Sequence, residues 1–245
     1  MIEKIQNDRI NELTEAIVLS YLKSIGQDPK SVVCIDLDGI AKDYYGYDIR
    51  YESIAEDDKD KVAFSANGVD LLRVRRNGKL EDVLFPDTTI VLDSYLRQPA
   101  NSIQRRLFLS HELGHKIYAK ISPGHDQGNY YRIFDKERDY CLEELRPQMN
   151  IVEAEATQAG CGLLMPNFLL KNTLKRVTRR EKFPVFGSHQ MLPNDSLKFK
   201  KMAEDIGVSP NMLFIQLKKN KLISFKPIED YLKLIGLKGG GMICL

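Results

Sequence analysis

The feature that most constrains this chain is a pair of histidines, His111 and His115, four residues apart around Glu112. On an α-helix of about 3.6 residues per turn, that spacing places both imidazoles on one face, one turn apart, where they can converge on a single metal ion. Glu112 follows the first histidine and lies at the edge of the same face, within reach of a water on the metal. The pattern therefore predicts a zinc site with His111 and His115 as ligands and Glu112 as general base.

An exposed helix with solvated histidines is the alternative interpretation of this motif. The flanking residues argue against it, because an apolar stripe at helical spacing predicts that the helix is mostly buried. The stripe consists of Ile103, Leu107, Phe108, Leu113 and Ile117. Buried polar side chains need partners, and a metal ion supplies them.

A second predicted helix, within residues 151–166, offers the third ligand. It is rich in small side chains, which let one helix approach another closely. Glu153 and Glu155 are two positions apart and point about 200° apart around the helix, so only one of them can face the metal. We select Glu153 because it shares a side with the small residues Ala156 and Gly160, and Glu155 is the alternative. Three protein ligands leave the fourth position of a catalytic zinc open for water.

Residues 1–166 predict an α+β domain with a small, mostly antiparallel sheet packed on the metal-binding helix. Helices are expected at residues 3–24, around 38–45 and from Asn101 or Ser102 to about 120. Strands are expected at residues 47–51, 62–66, 69–76 and 88–93. The dipeptides Asn67-Gly68 and Asn77-Gly78 between these strands are hairpin signals.

Composition excludes several classes of protein. The net charge of +2 names no partner. The first residues are charged and lack the apolar segment of a secretory signal, and no apolar run approaches the roughly 20 residues that a membrane-spanning helix needs. The four cysteines form no C-x-x-C pair, so neither a disulfide framework nor a structural zinc knuckle is indicated. We therefore expect a cytoplasmic protein that does not act in a membrane.

Two segments resemble the ImmA/IrrE family of zinc metallopeptidases, a gluzincin-like group. Residues 105–115 (RRLFLSHELGH) resemble its arginine-preceded HELGH helix, and residues 153–166 resemble its E-x-x-A helix that ends in LLMP. The resemblance implies one zinc ion bound by His111, His115 and Glu153, with Glu112 as general base. It also implies an endopeptidase whose substrate is a regulatory protein, often a helix-turn-helix repressor of a mobile element or a stress response.

Two positions depart from the family pattern. Thr157 stands where Asn or Asp is common, so support of a ligand histidine is expected to be weaker or lost. Gly162 stands where Glu is frequent, a difference that the sequence does not explain. A second donor to the tetrahedral intermediate is also expected. The candidates are Tyr118, Tyr130, Tyr131 and His189, and His125 is a candidate for an additional ligand or a substrate contact.

Residues 167–245 predict a second, basic helical region that ends in a flexible glycine-rich tail. Residues 167–226 hold thirteen Lys or Arg against four Asp or Glu, a net charge of about +9. Residues 197–206 and 211–221 form a helix-turn-helix-like pair, with Ser209 as N-cap of the second helix and Pro210 at its first position. In a DNA-binding module, Gln216, Lys218 and Lys219 would face the major groove.

Two functions are compatible with this organisation. We favour the zinc endopeptidase, with the C-terminal region completing the enzyme or holding its protein partner. The alternative is a transcriptional regulator that binds DNA or a partner and whose metal site is structural or vestigial. Glu112 favours the enzyme, because a structural metal site has no use for a base at that position.

Overall fold

The fold comes from a computed structural model of the chain, and residues 7–57, 61–121 and 142–236 are described. Eight helices and three small sheets in these residues confirm the predicted α+β class. The chain divides into two compact units, Met1–Pro166 and Asn167–Leu245. None of the described helices combines the length and the apolar character that crossing a membrane requires. The predictions for His125, Tyr130, Tyr131 and the glycine-rich tail lie outside the described residues.

The first unit contains three long helices and one short one. They are α1 (Asn7–Ser24), α2 (Leu37–Gly39, continued by a π-helical turn at Ile40–Tyr44), α3 (Ser102–Ile121) and α4 (Leu142–Leu164). α3 carries the histidine motif and begins after a 3₁₀ turn at Pro99–Asn101, where the sequence predicted its start. Residues 109–118 of α3 are buried or half-buried, although Ile103 at its first turn is exposed.

Five strands accompany these helices. They are β1 (Asp48–Glu52), β2 (Ala63–Ser65), β3 (Leu71–Arg76), β4 (Lys79–Leu84) and β5 (Thr89–Asp93). β5 lies at the centre of a three-stranded sheet in the order β1-β5-β2, and it contacts α3. β2–β5 and β3–β4 are antiparallel, in line with the mostly antiparallel sheet that was predicted, although these particular pairs were not; β1–β5 is parallel. The three-stranded sheet is therefore mixed, because β1 runs parallel to β5 and β2 runs antiparallel to it.

One of the two predicted hairpins is present. Asn77-Gly78 joins β3 to β4, and β4 itself escaped prediction because five of its six residues are exposed and show no alternation. The hairpin predicted at Asn67-Gly68 is wrong, since β2 pairs with β5 and not with β3. The Asn67 side chain instead accepts hydrogen bonds from the backbone N–H groups of Val69 (3.0 Å) and Asp70 (2.8 Å), which closes a local turn.

Two glycines allow α3 and α4 to pack at very short range. A Cβ placed on Gly114 would lie 2.3 Å from the carbonyl oxygen of Ala156, and one on Gly160 would lie 2.7 Å from that of Ser110. Gly162 similarly faces α1, where a Cβ would lie 2.2 Å from Thr14 Oγ1. α4 therefore carries glycine where it crosses each neighbouring helix, which accounts for Gly162.

Gly114→Ala is expected to lower the free energy of unfolding by about 1–3 kcal/mol, because the new methyl group meets backbone that cannot move aside. Without that contact, the same change in a helix interior would stabilise by about 1 kcal/mol, so the sign of the effect is the test. Urea unfolding measures it. The exposed Gln104→Ala on the same helix is the control and should stay within about 0.5 kcal/mol of wild type. Increased stability of Gly114→Ala would contradict the close approach.

The second unit holds four helices and a pair of parallel strands. They are α5 (Asn167–Thr178), β6 (Phe183–Phe186), α6 (Pro193–Ile206), α7 (Pro210–Lys219), β7 (Ile223–Lys226) and α8 (Ile228–Leu234). α6 and α7 are the predicted helix-turn-helix-like pair, joined through Gly207 in the left-handed conformation (φ 76°). Ser209 Oγ accepts from the Met212 N–H at 3.3 Å, which confirms the predicted N-cap.

The proposed DNA-facing side of α7 needs correction. Gln216 is only 3% exposed, so it does not face a groove. It lies three residues after Leu213 and next to Leu217, both buried, and therefore belongs to the inward face of the helix. Lys218 and Lys219 at the end of α7 are exposed.

Candidate metal centre

His111, His115 and Glu153 bring three ligand atoms together between α3 and α4. The Nε2 atoms of the two histidines are 3.0 Å apart. Glu153 Oε2 lies 3.1 Å from His111 Nε2, and Glu153 Oε1 lies 3.5 Å from His115 Nε2. Among the described residues, these three form the group whose ligand atoms are close enough to hold one metal ion.

The position of each ligand follows from the local sequence. The four-residue spacing on α3 stacks the two imidazoles, whose ring centroids are 4.7 Å apart. Glu153 lies one turn before Ala156 and two turns before Gly160, the residues at which α4 touches the α3 backbone. The carboxylate is thereby carried to the histidine face of α3.

The donor set fits a zinc ion. Thr157 Oγ1 lies 3.2 Å from His111 Nδ1. When Nδ1–H donates to that hydroxyl, the lone pair of the neutral ring is on Nε2, which points at His115 and Glu153. Lone pairs that converge at these distances repel one another unless a cation lies between them. Two neutral imidazoles and one carboxylate form a known ligand set of catalytic zinc.

The electrostatics of the centre favour added positive charge. In the metal-free protein, hydrogen bonds from the protonated Nε2 atoms of His111 and His115 hold the pKa of Glu153 well below its usual range. Burial acts to lower the pKa of His111, but the hydrogen bond to Glu153 and the charges of Glu112 and Glu153 outweigh it, so the pKa of His111 is raised. The metal-free centre therefore holds an ionised carboxylate and favours protons on the neighbouring imidazole. A divalent cation can replace such protons.

Glu112 is buried on α3 directly after the first histidine, with 7% of its surface exposed. Burial raises the pKa of its carboxyl group above the usual value, against the opposing charges of His115, His111 and Lys116. A raised pKa makes a carboxylate a better proton acceptor near neutral pH. Glu112 therefore has the environment expected of a general base.

Thr157 contacts His111, although Asn or Asp is common at this position in the family that the sequence resembles. Its hydroxyl lies where a hydrogen bond fixes the ring and its tautomer, so the expected loss of support for the ligand is not observed. Thr157→Val keeps the shape and removes the hydroxyl, and we expect zinc affinity to fall by about 10- to 100-fold. Competition with a chromophoric chelator measures the change. Thr157→Ser keeps the hydroxyl and should retain most of the affinity. Equal losses in both variants would contradict this role.

The other predicted site residues do not join this group. Glu155 is buried, and neither of its carboxylate oxygens has a hydrogen-bond partner. Unlike Glu153, it therefore makes no hydrogen bond to either histidine. Tyr118 is buried on α3, three residues after His115. His189 belongs to the second unit, where its ring centroid lies 4.9 Å from that of Phe214.

Lys116, next to His115, is a buried residue that the motif did not reveal. Its ammonium group donates to the backbone carbonyls of Ala66 and Asp87, and it lies 5.5 Å from the centroid of the Tyr47 ring. It thereby fastens α3 to the end of β2 and to the turn before β5. The only sequence signal for this role is a lysine set among the apolar residues of a buried helix.

A comparison with the models of known protein families finds no match, and neither does a comparison with curated proteins.

Removing the Glu112 charge is expected to stabilise the metal-free protein at neutral pH. Because the folded pKa is raised, the folded state binds more protons than the unfolded state between the two pKa values, and the free energy of unfolding falls as pH rises through that window. Glutamine does not titrate, so the free energy of unfolding of Glu112→Gln does not fall in this way. Calorimetry with a chelator should show a higher midpoint than wild type at pH 7.5 and a smaller difference near pH 4. A difference independent of pH would contradict the shift.

Proposed function

We propose that this protein is a zinc-dependent endopeptidase that cleaves a regulatory protein, namely a helix-turn-helix repressor of a mobile element or a stress response. The observation that carries the proposal is the convergence of His111, His115 and Glu153 on one point, with Glu112 buried on the same turn of α3. A structural zinc is closed by four protein ligands, whereas three ligands and a base are the requirements of a hydrolytic site.

The chemistry divides between the ion and the chain. When bound by His111, His115 and Glu153, zinc supplies Lewis acidity that lowers the pKa of water to about 7 and polarises a carbonyl. Glu112 accepts the proton of the attacking water and delivers it to the leaving amine, for which its raised pKa is suited. Thr157 keeps the His111 ring in the orientation that directs Nε2 to the ion.

The outer edge of β2, which pairs with no other strand among the described residues, supports an extended peptide as substrate. β2 is the last strand in the order β1-β5-β2, and Ser65 Oγ lies 3.5 Å from the backbone carbonyl of Glu112, so this edge borders the catalytic helix. Phe64 is paired with Val91 of β5, which directs the N–H and C=O groups of Ala63 and Ser65 away from the sheet. An extended chain can add to such an edge through backbone hydrogen bonds.

The regulator with a structural or vestigial metal site is less well supported. In its DNA-binding form it assigns groove reading to α7, and the burial of Gln216 removes one of the three side chains assigned to that role. It also gives no use to the buried carboxylate of Glu112.

The proposal is tested with the full chain, loaded with one equivalent of zinc, and the helix-turn-helix repressor encoded beside its gene. We expect discrete fragments by mass spectrometry, loss of cleavage with a chelator and recovery when zinc is restored. Bound zinc without cleavage would overturn this choice of substrate. Failure to bind zinc at neutral pH would overturn the metal centre and the enzyme together.

A further inference from the structure

Two chain segments of the second unit lie side by side at one end of its strand pair. β6 and β7 are parallel and in register, with Phe183 opposite Ile223, and the Phe183 N–H donates to the Leu222 carbonyl at 2.8 Å. Neighbouring strands are about 4.8 Å apart, so the segments that enter them, residues 179–182 and 218–222, meet where Lys182 and Leu222 precede the paired residues. α5 ends at the first segment and α7 ends at the second.

These segments present four exposed cations, Arg179, Lys182, Lys218 and Lys221, called here the basic loop pair. None of the four forms an ion pair with the described part of the chain. Two acidic residues of the same unit pair with other cations. Asp195 is buried and forms an ion pair with Arg180 at 2.8 Å. Asp205 is bound by Arg176 at 3.2 Å and by Lys201 at 2.6 Å. Glu181, the one acidic residue of the two segments, pairs with Lys175 at 3.6 Å. The basic loop pair therefore keeps an excess of positive charge.

Two of the four cations occupy positions that favour glycine. Arg179 and Lys221 have φ values of 60° and 57°. Arg179 directly follows α5, and Lys221 follows α7 after Asn220. The Arg179 N–H donates to Lys175 O (3.0 Å), and the Leu222 N–H donates to Leu217 O (2.8 Å), so both helix ends are closed in the left-handed manner for which glycine is usual. A side chain with a Cβ costs backbone free energy there.

The helix dipole accounts for only part of this arrangement. Cations in the last turn of a helix are favoured by its negative end, which suffices for Lys175, Arg176, Lys218 and Lys219. It does not explain arginine and lysine at the left-handed positions after these two helices, where glycine is usual. Strain that is repeated after both helices indicates that the side chains are needed.

We propose that the basic loop pair binds the phosphate backbone of double-stranded DNA. The four cations are exposed and form no ion pair with the described residues, and the acidic residue of these segments, Glu181, pairs with Lys175. Such free cations suit a dense and repeating line of negative charge. The contact lies at the ends of α5 and α7 and does not need Gln216, whose burial excludes it from base recognition. The inference does not depend on the metal centre or on cleavage.

The test is fluorescence anisotropy of a labelled 20-base-pair duplex of mixed sequence, with the full chain kept metal-free by a chelator. We expect micromolar binding at low salt, and a plot of log affinity against log salt with a slope of about −3 to −4. Arg179→Gly with Lys221→Gly should weaken binding about 10-fold or more and reduce the slope by about 2, without lowering the thermal midpoint. Asn at both positions tolerates the same backbone and should weaken binding equally.

The matched control removes two charges elsewhere in the same unit. Lys171→Gln with Lys233→Gln should change the slope by less than about 0.5, because neither residue lies on the two segments. Absence of duplex binding by wild type at about 25 mM salt would overturn the proposal. So would equal losses in the glycine variant and the control. Equal affinity for polyglutamate of the same charge would overturn the choice of nucleic acid as partner.

Discussion

Glu153→Gln is expected to lower zinc affinity by more than about 100-fold, whereas Glu155→Gln leaves it unchanged. Glu153 is the only carboxylate of the ligand group, and an amide oxygen has neither its charge nor its affinity for the ion. Glu155 is two positions further along α4 and points to another side of the helix. The two variants carry the same chemical change on one helix, so their difference isolates coordination.

Competition against a chromophoric chelator at pH 7 gives both affinities, and circular dichroism checks that each variant is folded. A loss confined to Glu155→Gln would assign the third ligand to the alternative that the sequence left open. Equal losses would indicate that the change disturbs α4 itself and not coordination. Unchanged binding in both would remove the carboxylate from the centre.

The grouping of His111, His115 and Glu153 was predictable because helices impose such positions locally. Any two residues four apart on a helix share a face, so bringing the two histidines together needed no knowledge of the fold. Placing Glu153 beside them used one further fact, that small residues mark where helices touch. Gly160 against the Ser110 carbonyl shows the physical reason, since the same contact that requires glycine sets the rotation of α4.

The strand pairing was not predictable in the same way, because it depends on residues far apart in the chain. Asn67-Gly68 has the composition of a hairpin, but the Asn67 side chain closes a turn by itself and releases β2 to pair with β5. β4 has mostly exposed residues and leaves no apolar alternation to detect. Its place is set by pairing with β3 after the turn at Asn77-Gly78.

Burial of polar side chains was also hidden from the sequence. Gln216 is polar and was therefore expected to be exposed, yet it shares the buried face of α7 with Leu213 and Leu217. Lys116 is acceptable in the core only because the carbonyls of Ala66 and Asp87 accept its protons. Such partners are supplied by elements distant in the sequence, and only the folded chain reveals them.

Glu112→Gln is expected to reduce the rate of substrate cleavage by about 10²- to 10⁴-fold while zinc affinity stays within a few-fold of wild type. Glutamine has nearly the same shape as glutamate and leaves the three ligands in place, but it cannot accept a proton. The buried position of Glu112 makes replacement by bulk water inefficient, since little of the side chain reaches solvent. Single-turnover cleavage of the repressor and chelator competition on the same preparations measure the two quantities.

Glu155→Gln serves again as the matched control, because it makes the same change at a buried carboxylate outside the ligand group. It should cleave at close to the wild-type rate. Cleavage by Glu112→Gln at the wild-type rate would place the base elsewhere and leave the metal centre standing. Loss of zinc together with loss of cleavage would show that Glu112 supports the ligands, in which case its buried carboxylate is structural. Only loss of cleavage with zinc retained assigns proton transfer to Glu112, since that outcome separates the chemistry of the residue from its place in the fold.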